Sequence, residues 1–132
     1  MDKLTPGLSA ELTRTVTESY TAAQLGSGLV PVFATPALVA LMEAAAVHAL
    51  EGCLPPGQTT VGGRIDVRHL AATPVGMTVR ALAELTAVEG RKLTFQITAW
   101  DDVEKIGEAS HERVIVDTEK FLARAQAKRK TK

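Results

Sequence analysis

Glu43 and His69 are the residues of this chain best placed to do chemistry together, with Thr35 as a third. Glu43 sits in Val32-Phe33-Ala34-Thr35-Pro36-Ala37-Leu38-Val39-Ala40-Leu41-Met42-Glu43-Ala44-Ala45-Ala46-Val47-His48-Ala49-Leu50, the most apolar stretch of the sequence. A carboxylate there has to be paired, protonated or put to use, because burying an unpaired charge is very costly. It meets an arginine, reaches solvent through a gap, or serves as a nucleophile or general base. In Arg64-Ile65-Asp66-Val67-Arg68-His69 the histidine alternates with Ile65 and Val67 on the apolar side of a strand. That side is expected to face the helix bearing Glu43. A carboxylate and an imidazole turned toward one interior describe an enzyme.

Thr35 stands directly before Pro36, so it reads as the N-cap of that helix, with proline preset for the first turn. Its hydroxyl and the free amides of the first turn also suit an oxyanion. Eight residues of helix span about 12 Å, so Thr35 and Glu43 of one straight helix cannot touch. For both to serve one site, the chain must fold back before the helix, or Thr35 must come from a second subunit. Gly62-Gly63 marks a bulge or a close approach of ligand or backbone. His48 with Glu51 reads as a surface pair, and His111 shares a strand side with Arg113 without an assigned role. The histidines and the single Cys53 show no metal-ligand spacing, and no phosphate loop, nucleophile elbow or dinucleotide fingerprint is present.

The elements that must position these groups follow from periodicity. Residues 1–8 read as a loose end, Leu12–Tyr20 as an edge strand, and Thr21–Leu29 as a small-residue loop. The helix runs from Thr35 to Leu50 and is stopped by Gly52, Pro55, Pro56 and Gly57. After Gly57 the period becomes two. Ile65–His69, Met77–Leu85, Leu93–Ala99 and Ile106–Val116 read as strands, with turns at Thr73–Gly76, Glu89–Arg91 and Asp101-Asp102. Glu119–Lys130 is a short basic helix or frayed tail. The expectation is an α+β domain spanning 1–132, an antiparallel sheet wrapped around one helix. A helix apolar on every side needs cover on every side, which a sheet this short does not supply, so a dimer is expected.

Composition narrows the classes. Fifteen basic and fifteen acidic residues cancel, which gives no global field toward nucleic acid or an anionic membrane. One cysteine excludes an intrachain disulfide and fits a reducing cytoplasm. The first twenty residues carry Asp2, Glu11, Arg14 and Glu18 and no signal-peptide core, and the apolar helix is slightly short for a membrane span.

Val32-Phe33-Ala34-Thr35, Leu41-Met42-Glu43, His69-Leu70-Ala71-Ala72-Thr73-Pro74, Val88-Glu89-Gly90-Arg91, and His111-Glu112-Arg113 with Glu119-Lys120-Phe121 resemble the fluoroacetyl-CoA thioesterase family. The resemblance runs from about Val32 to Phe121 at nearly constant spacing. It implies a hot-dog fold working as a homodimer, with a tetramer also open, and hydrolysis of a small acyl-CoA without metal or redox cofactor. It implies catalytic roles for Thr35, Glu43 and His69, a backbone role for Gly62 facing the thioester, and an arginine near the site at Arg113. Arg64, Arg68 and Arg113 are candidates for the coenzyme A phosphates. In the fluoroacetyl-specific enzyme, phenylalanines before the V-F-A-T motif close over the acyl group. Gln24–Val30 here contains no aromatic residue, so the fluorine-selective lid is not carried over. A non-catalytic acyl-CoA sensor and an enoyl-CoA hydratase are the alternatives on the same fold. A sensor would bind without releasing thiol.

Overall fold

The computed structural model of the chain describes residues 3–130. In order it holds β1 (Ser9–Thr15), a 3₁₀ turn (Glu18–Tyr20), α1 (Ala22–Leu25), α2 (Thr35–Ala49) and β2 (Gln58–His69). Then come β3 (Thr78–Glu89), β4 (Lys92–Trp100), β5 (Lys105–Asp117), α3 (Thr118–Ala127) and a final 3₁₀ turn (Lys128–Lys130). The strands form one five-stranded antiparallel sheet in the order β1-β3-β4-β5-β2. β3, β4 and β5 make the expected meander. β2 closes one edge against β5, and β1 closes the other against β3.

Alanine and leucine make α2 a favourable helix, and the chain leaves it at Leu50 before Gly52 takes up φ 75°. Leu38, Leu41, Met42, Ala45, Ala46 and Ala49 are buried against the sheet, where alternate residues of β3 (Val79, Ala81, Ala83, Leu85) and β4 (Leu93, Phe95, Ile97, Ala99) supply the floor. Leu38 and Met42 are fully enclosed, which stabilises the fold by about 1.5–3 kcal/mol each. Thr35, Pro36, Ala40 and Val47 on the opposite side are exposed, and Val39, Glu43 and Ala44 are half-buried. The sheet of one protomer therefore covers only part of an all-apolar helix.

Register slips at Gly62/Arg64, Leu85/Ala87 and Ala99/Trp100 bend the strands around α2. The first slip does more. Before it, Thr60 and Gly62 face the helix side; after it, Ile65, Val67 and His69 do. An unbroken strand would send Gly62 and His69 to opposite faces.

Several expectations shift. Leu4 and Leu8 pack on the core, Gly7 N donates to Leu85 O, and Leu85 N donates to Leu8 O, so residues 4–8 are tied down rather than loose. The edge strand ends at Thr15, because Val16 turns inward and Glu18–Tyr20 closes into a 3₁₀ turn. The loop expected over Thr21–Leu29 contains α1, capped by the Thr21 hydroxyl accepting from Gln24 N. Of the two readings of Glu119–Lys130, a short helix or a frayed tail, the helix is the one found, as α3; the basic tail at 123–132 runs on to Thr131 and Lys132, which like Met1 and Asp2 lie outside the described residues. Among the described residues no helix is long and apolar enough to cross a membrane.

The helix approaches β5 closely at Gly107. A Cβ there would stand 2.9 Å from Leu38 Cδ2, 3.2 Å from Arg68 O and 3.3 Å from Met42 Cε. Gly107→Ala is expected to lower the unfolding free energy by about 1–3 kcal/mol, because Leu38 and Met42 have no room to yield. Urea denaturation measures this, and an unchanged midpoint would refute the packing argument.

Candidate active site

The five residues singled out in the sequence gather into two groups at opposite ends of β2. At one end Thr35 Oγ1 lies 2.8 Å from His69 Nδ1. Thr35 is the first helical residue and does not cap α2. Ala34, buried and extended, takes the N-cap position and its carbonyl accepts from Leu38 N. The freed hydroxyl turns to the imidazole. His69 Nε2 is buried, with no partner among the described residues, and the ring meets Phe33 edge-on. Thr35 Oγ1 and His69 Nδ1 share one hydrogen bond, whose donor is set by the tautomer, beside a cavity of about 400 Å³. Ser27, Gly28, Val30, Val32, Phe33 and Leu70–Ala72 line that cavity.

At the other end Glu43 projects from α2 toward Gly62 and Arg113. Its Oε2 is 3.5 Å from Arg113 Nη1 and 4.0 Å from His111 Nε2, with the carboxylate side chain 40% exposed. Arg113 Nε donates to Thr60 Oγ1 at 2.9 Å and Nη2 to the Thr60 carbonyl at 3.1 Å. Arg113 is buried and engaged on every side, so it is not a phosphate ligand; Arg64 and Arg68 on β2 are exposed. Gly62 leaves room for the acid: a Cβ at this position would lie 2.6 Å from Glu43 Oε2, so the carboxylate would have to shift. A second cleft of about 240 Å³ opens here, lined by Glu43, Gly62–Ile65 and His111.

No hydrogen bond or ion pair among the described residues joins Glu43 to His69. The helix rise separates Thr35 from Glu43 by about 12 Å, and β2 separates Gly62 from His69 by up to about 23 Å. His69 therefore orients Thr35 in its own chain and not Glu43. His48 and Glu51 form the expected exposed pair, 2.8 Å apart. Nothing in the sequence marks Thr60, and His111 stands out there only beside Arg113, on the same side of the strand and in the motif His111-Glu112-Arg113, without a role.

Burial holds the His69 imidazole below its ordinary value of 6.5, opposed by the Ala71 backbone. Burial also lowers His111, opposed by the Arg64 carbonyl, while the Arg113 charge adds to the lowering. Burial lowers Arg113 as well, and the Glu43 carboxylate opposes it.

A long helix held in a curled antiparallel sheet is the hot-dog architecture of the thioesterase superfamily. A thioesterase superfamily member from Thermus thermophilus, described as a hypothetical protein, superposes over all of both chains with TM-score 0.89 at 28% identity. The solved structure of the fluoroacetyl-CoA thioesterase FlK gives TM-score 0.91 at 38% identity, over 96% of this chain and 98% of that one. The fluoroacetyl-CoA thioesterase of Streptantibioticus cattleyicolor is 47% identical over 97 residues, 74% of this chain and 70% of that protein. Residues 16–119 match the family described as FlK, fluoroacetyl-CoA-specific thioesterase. The chain belongs to that family.

Half-buried His69 and buried His111 make stability depend on pH. With folded pKa values below 6.5, the unfolded chain binds protons first as pH falls. Their contribution is complete above the unfolded value and declines as pH drops from about 7 toward 5. Urea unfolding at these two pH values should show the lower stability at the acid end; equal or greater stability there would contradict it.

Proposed function

We propose that this chain hydrolyses a small acyl-CoA thioester to the free acid and coenzyme A, as a homodimer with two shared sites. Each site takes Thr35 and His69 from one subunit and Glu43, held by Arg113, from the other. The observation that carries this is that the groups fall into two separate half-sites in one chain, with Thr35 Oγ1 2.8 Å from His69 Nδ1 and Glu43 Oε2 3.5 Å from Arg113 Nη1. The midpoint of Thr35 and Glu43 on α2 is Val39, and the midpoint of Gly62 and His69 on β2 falls between Ile65 and Asp66. An axis through both midpoints sets α2 against its copy and the β2 edge against its copy, bringing each half-site to its complement. The same operation would cover exposed Ala40 and Val47 and pair the free backbone groups of the β2 edge.

In this arrangement the thioester carbonyl oxygen is directed at the Thr35 hydroxyl, which is hydrogen-bonded to His69 Nδ1. Glu43 of the partner subunit attacks the carbonyl carbon or draws a proton from water that does so. Negative charge develops on the carbonyl oxygen, where Thr35 and the first-turn amides of α2 stabilise it. Pro36 removes one of those amides. The C–S bond then breaks, and coenzyme A leaves as the thiol, taking a proton through the Thr35–His69 pair. That proton is given up by the water that attacks the thioester or, on the covalent route, is restored by the water that hydrolyses the acyl–Glu43 anhydride to free acid and Glu43. The Gly62 backbone gives the thioester room to lie flat against the cleft. Exposed Arg64 and Arg68 suit the coenzyme A phosphates. No metal or redox cofactor enters these steps, and the free thiol of Cys53 suits a cytoplasmic location.

The acyl group is small and its recognition aliphatic. Leu29 and Val30 beside the Thr35 cavity are 97% and 55% exposed, with no aromatic ring in Gln24–Val30 to close over a fluoromethyl group. Fluoroacetyl-CoA and acetyl-CoA should therefore differ in kcat/KM by no more than about tenfold. A far larger preference for the fluorinated substrate would show that another element supplies the selectivity.

Free-thiol release across short, branched and aromatic acyl-CoAs tests the activity itself; binding without release would identify a sensor instead. Glu43→Gln should lower turnover of the best substrate by about 100-fold or more. Shared sites give a sharper test. Thr35→Ala and Glu43→Gln chains, each inactive alone, should regain about a quarter of wild-type activity when co-expressed, because half the dimers then hold one intact site. Absence of complementation, with mixed dimers demonstrated, would sink the shared arrangement.

A further inference from the structure

Resting on the thioesterase reading, we propose that His111 is a positioning residue for the reaction: as a neutral hydrogen-bond acceptor it fixes Arg113, and through Arg113 the Glu43 carboxylate. His111 is 1% exposed, and its Nδ1 lies 2.7 Å from the Arg64 carbonyl. A carbonyl only accepts, so Nδ1 carries the ring proton and Nε2 presents a lone pair. That lone pair accepts from Arg113 Nη1 at 3.2 Å. The second hydrogen of the same nitrogen points to Glu43 Oε2, 3.5 Å away. Thr60 holds the rest of the guanidinium through its hydroxyl and carbonyl.

The arrangement starts in the backbone. The register slip at Gly62/Arg64 accompanies the turn of the Arg64 carbonyl toward β5, where His111 meets it. Phe95 from β4 lies against the ring, with centroids 6.3 Å apart, and prevents it from turning. The charged groups around it are Glu43 from α2 and Arg113 and Glu112 from β5. Protonating Nε2 would set N–H against N–H and place a second cation beside Arg113. The guanidinium would turn away, and the half-exposed Glu43 would lose the contact that fixes its direction.

Two substitutions separate the roles of the ring nitrogens. His111→Asn keeps a donor for the Arg64 carbonyl but removes the acceptor for Arg113. His111→Gln reaches the Nε2 position with an amide oxygen. Displacing a reacting group by about an ångström costs about 100-fold, so the Asn variant should lose about that factor in kcat at nearly constant KM. The Gln variant should stay within about threefold of wild type, by the same geometric argument. ¹⁵N spectra at neutral pH should show the Nδ1–H tautomer at His111. The Arg113 Nε–H signal should be protected in wild type and the Gln variant, and exchange rapidly in the Asn variant. Equal kcat for Asn and wild type, equal losses in both variants, or an Nε2–H tautomer would overturn the proposal. If neither variant folds, Thr60→Val, which removes one contact to the charged guanidinium, should lower kcat about tenfold; unchanged kcat would overturn it too. A wild-type protein that releases no thiol from any acyl-CoA would remove the thioesterase reading, and the NMR measurements would still decide the hydrogen-bond network.

Discussion

A single carboxylate in the middle of an apolar helix sets the terms for everything around it. α2 has to be buried to be stable, and Glu43 has to keep its charge while that happens. The structure meets both demands by leaving the outer side of the helix partly open and setting Arg113 at the edge of the opening. With 40% of the carboxylate side chain exposed, the pair adds only about 0–1 kcal/mol to stability. Its value is direction. Arg113 is buried far more deeply than its partner, and the contacts that keep it there come from Thr60 and His111 rather than from Glu43 alone.

The same demand explains the residues beneath the helix. Alanines at 81, 83, 99 and 109 and glycine at 107 keep the sheet floor low, so α2 can sit deep in the curl. Larger side chains, Phe95 and Leu85 among them, fill the space where the sheet bends away. The bends come from register slips and not from the turns, which is why long strands can wrap a short helix. The architecture is retained in relatives at 38% and 28% identity, as expected when the path of the backbone carries the fold.

Much of this was legible in the residues, and the misreadings are instructive. The helix from Thr35 and the β3-β4-β5 meander follow from periodicity and turn chemistry, and their bounds differ from expectation by only a few residues. Thr35 misled because threonine before proline satisfies the usual signature of a cap, whereas Ala34 takes that position through its backbone alone. β2 was recognised only over Ile65–His69, since the slip at Gly62/Arg64 interrupts its alternation and hides Gln58–Val61. Strict alternation would also have put Gly62 and His69 on opposite faces. The paired glycines pointed to a bulge, but not to its consequence for which side chains share a side. Thr60 carries no local signal and His111 only its place beside Arg113, because their importance lies in hydrogen bonds to residues 53 and 47 positions away.

Position 62 and position 43 are not free to drift independently. A methyl group at 62 would claim the space that Glu43 Oε2 now occupies, at 2.6 Å. A lineage that gained a side chain there would have to swing the acid aside from its present position or shorten it by one methylene to aspartate. Glycine with glutamate, or alanine with aspartate, are compatible pairings; the crossed combination of alanine with glutamate is crowded. Evolutionary change at this cleft should therefore come in coordinated steps.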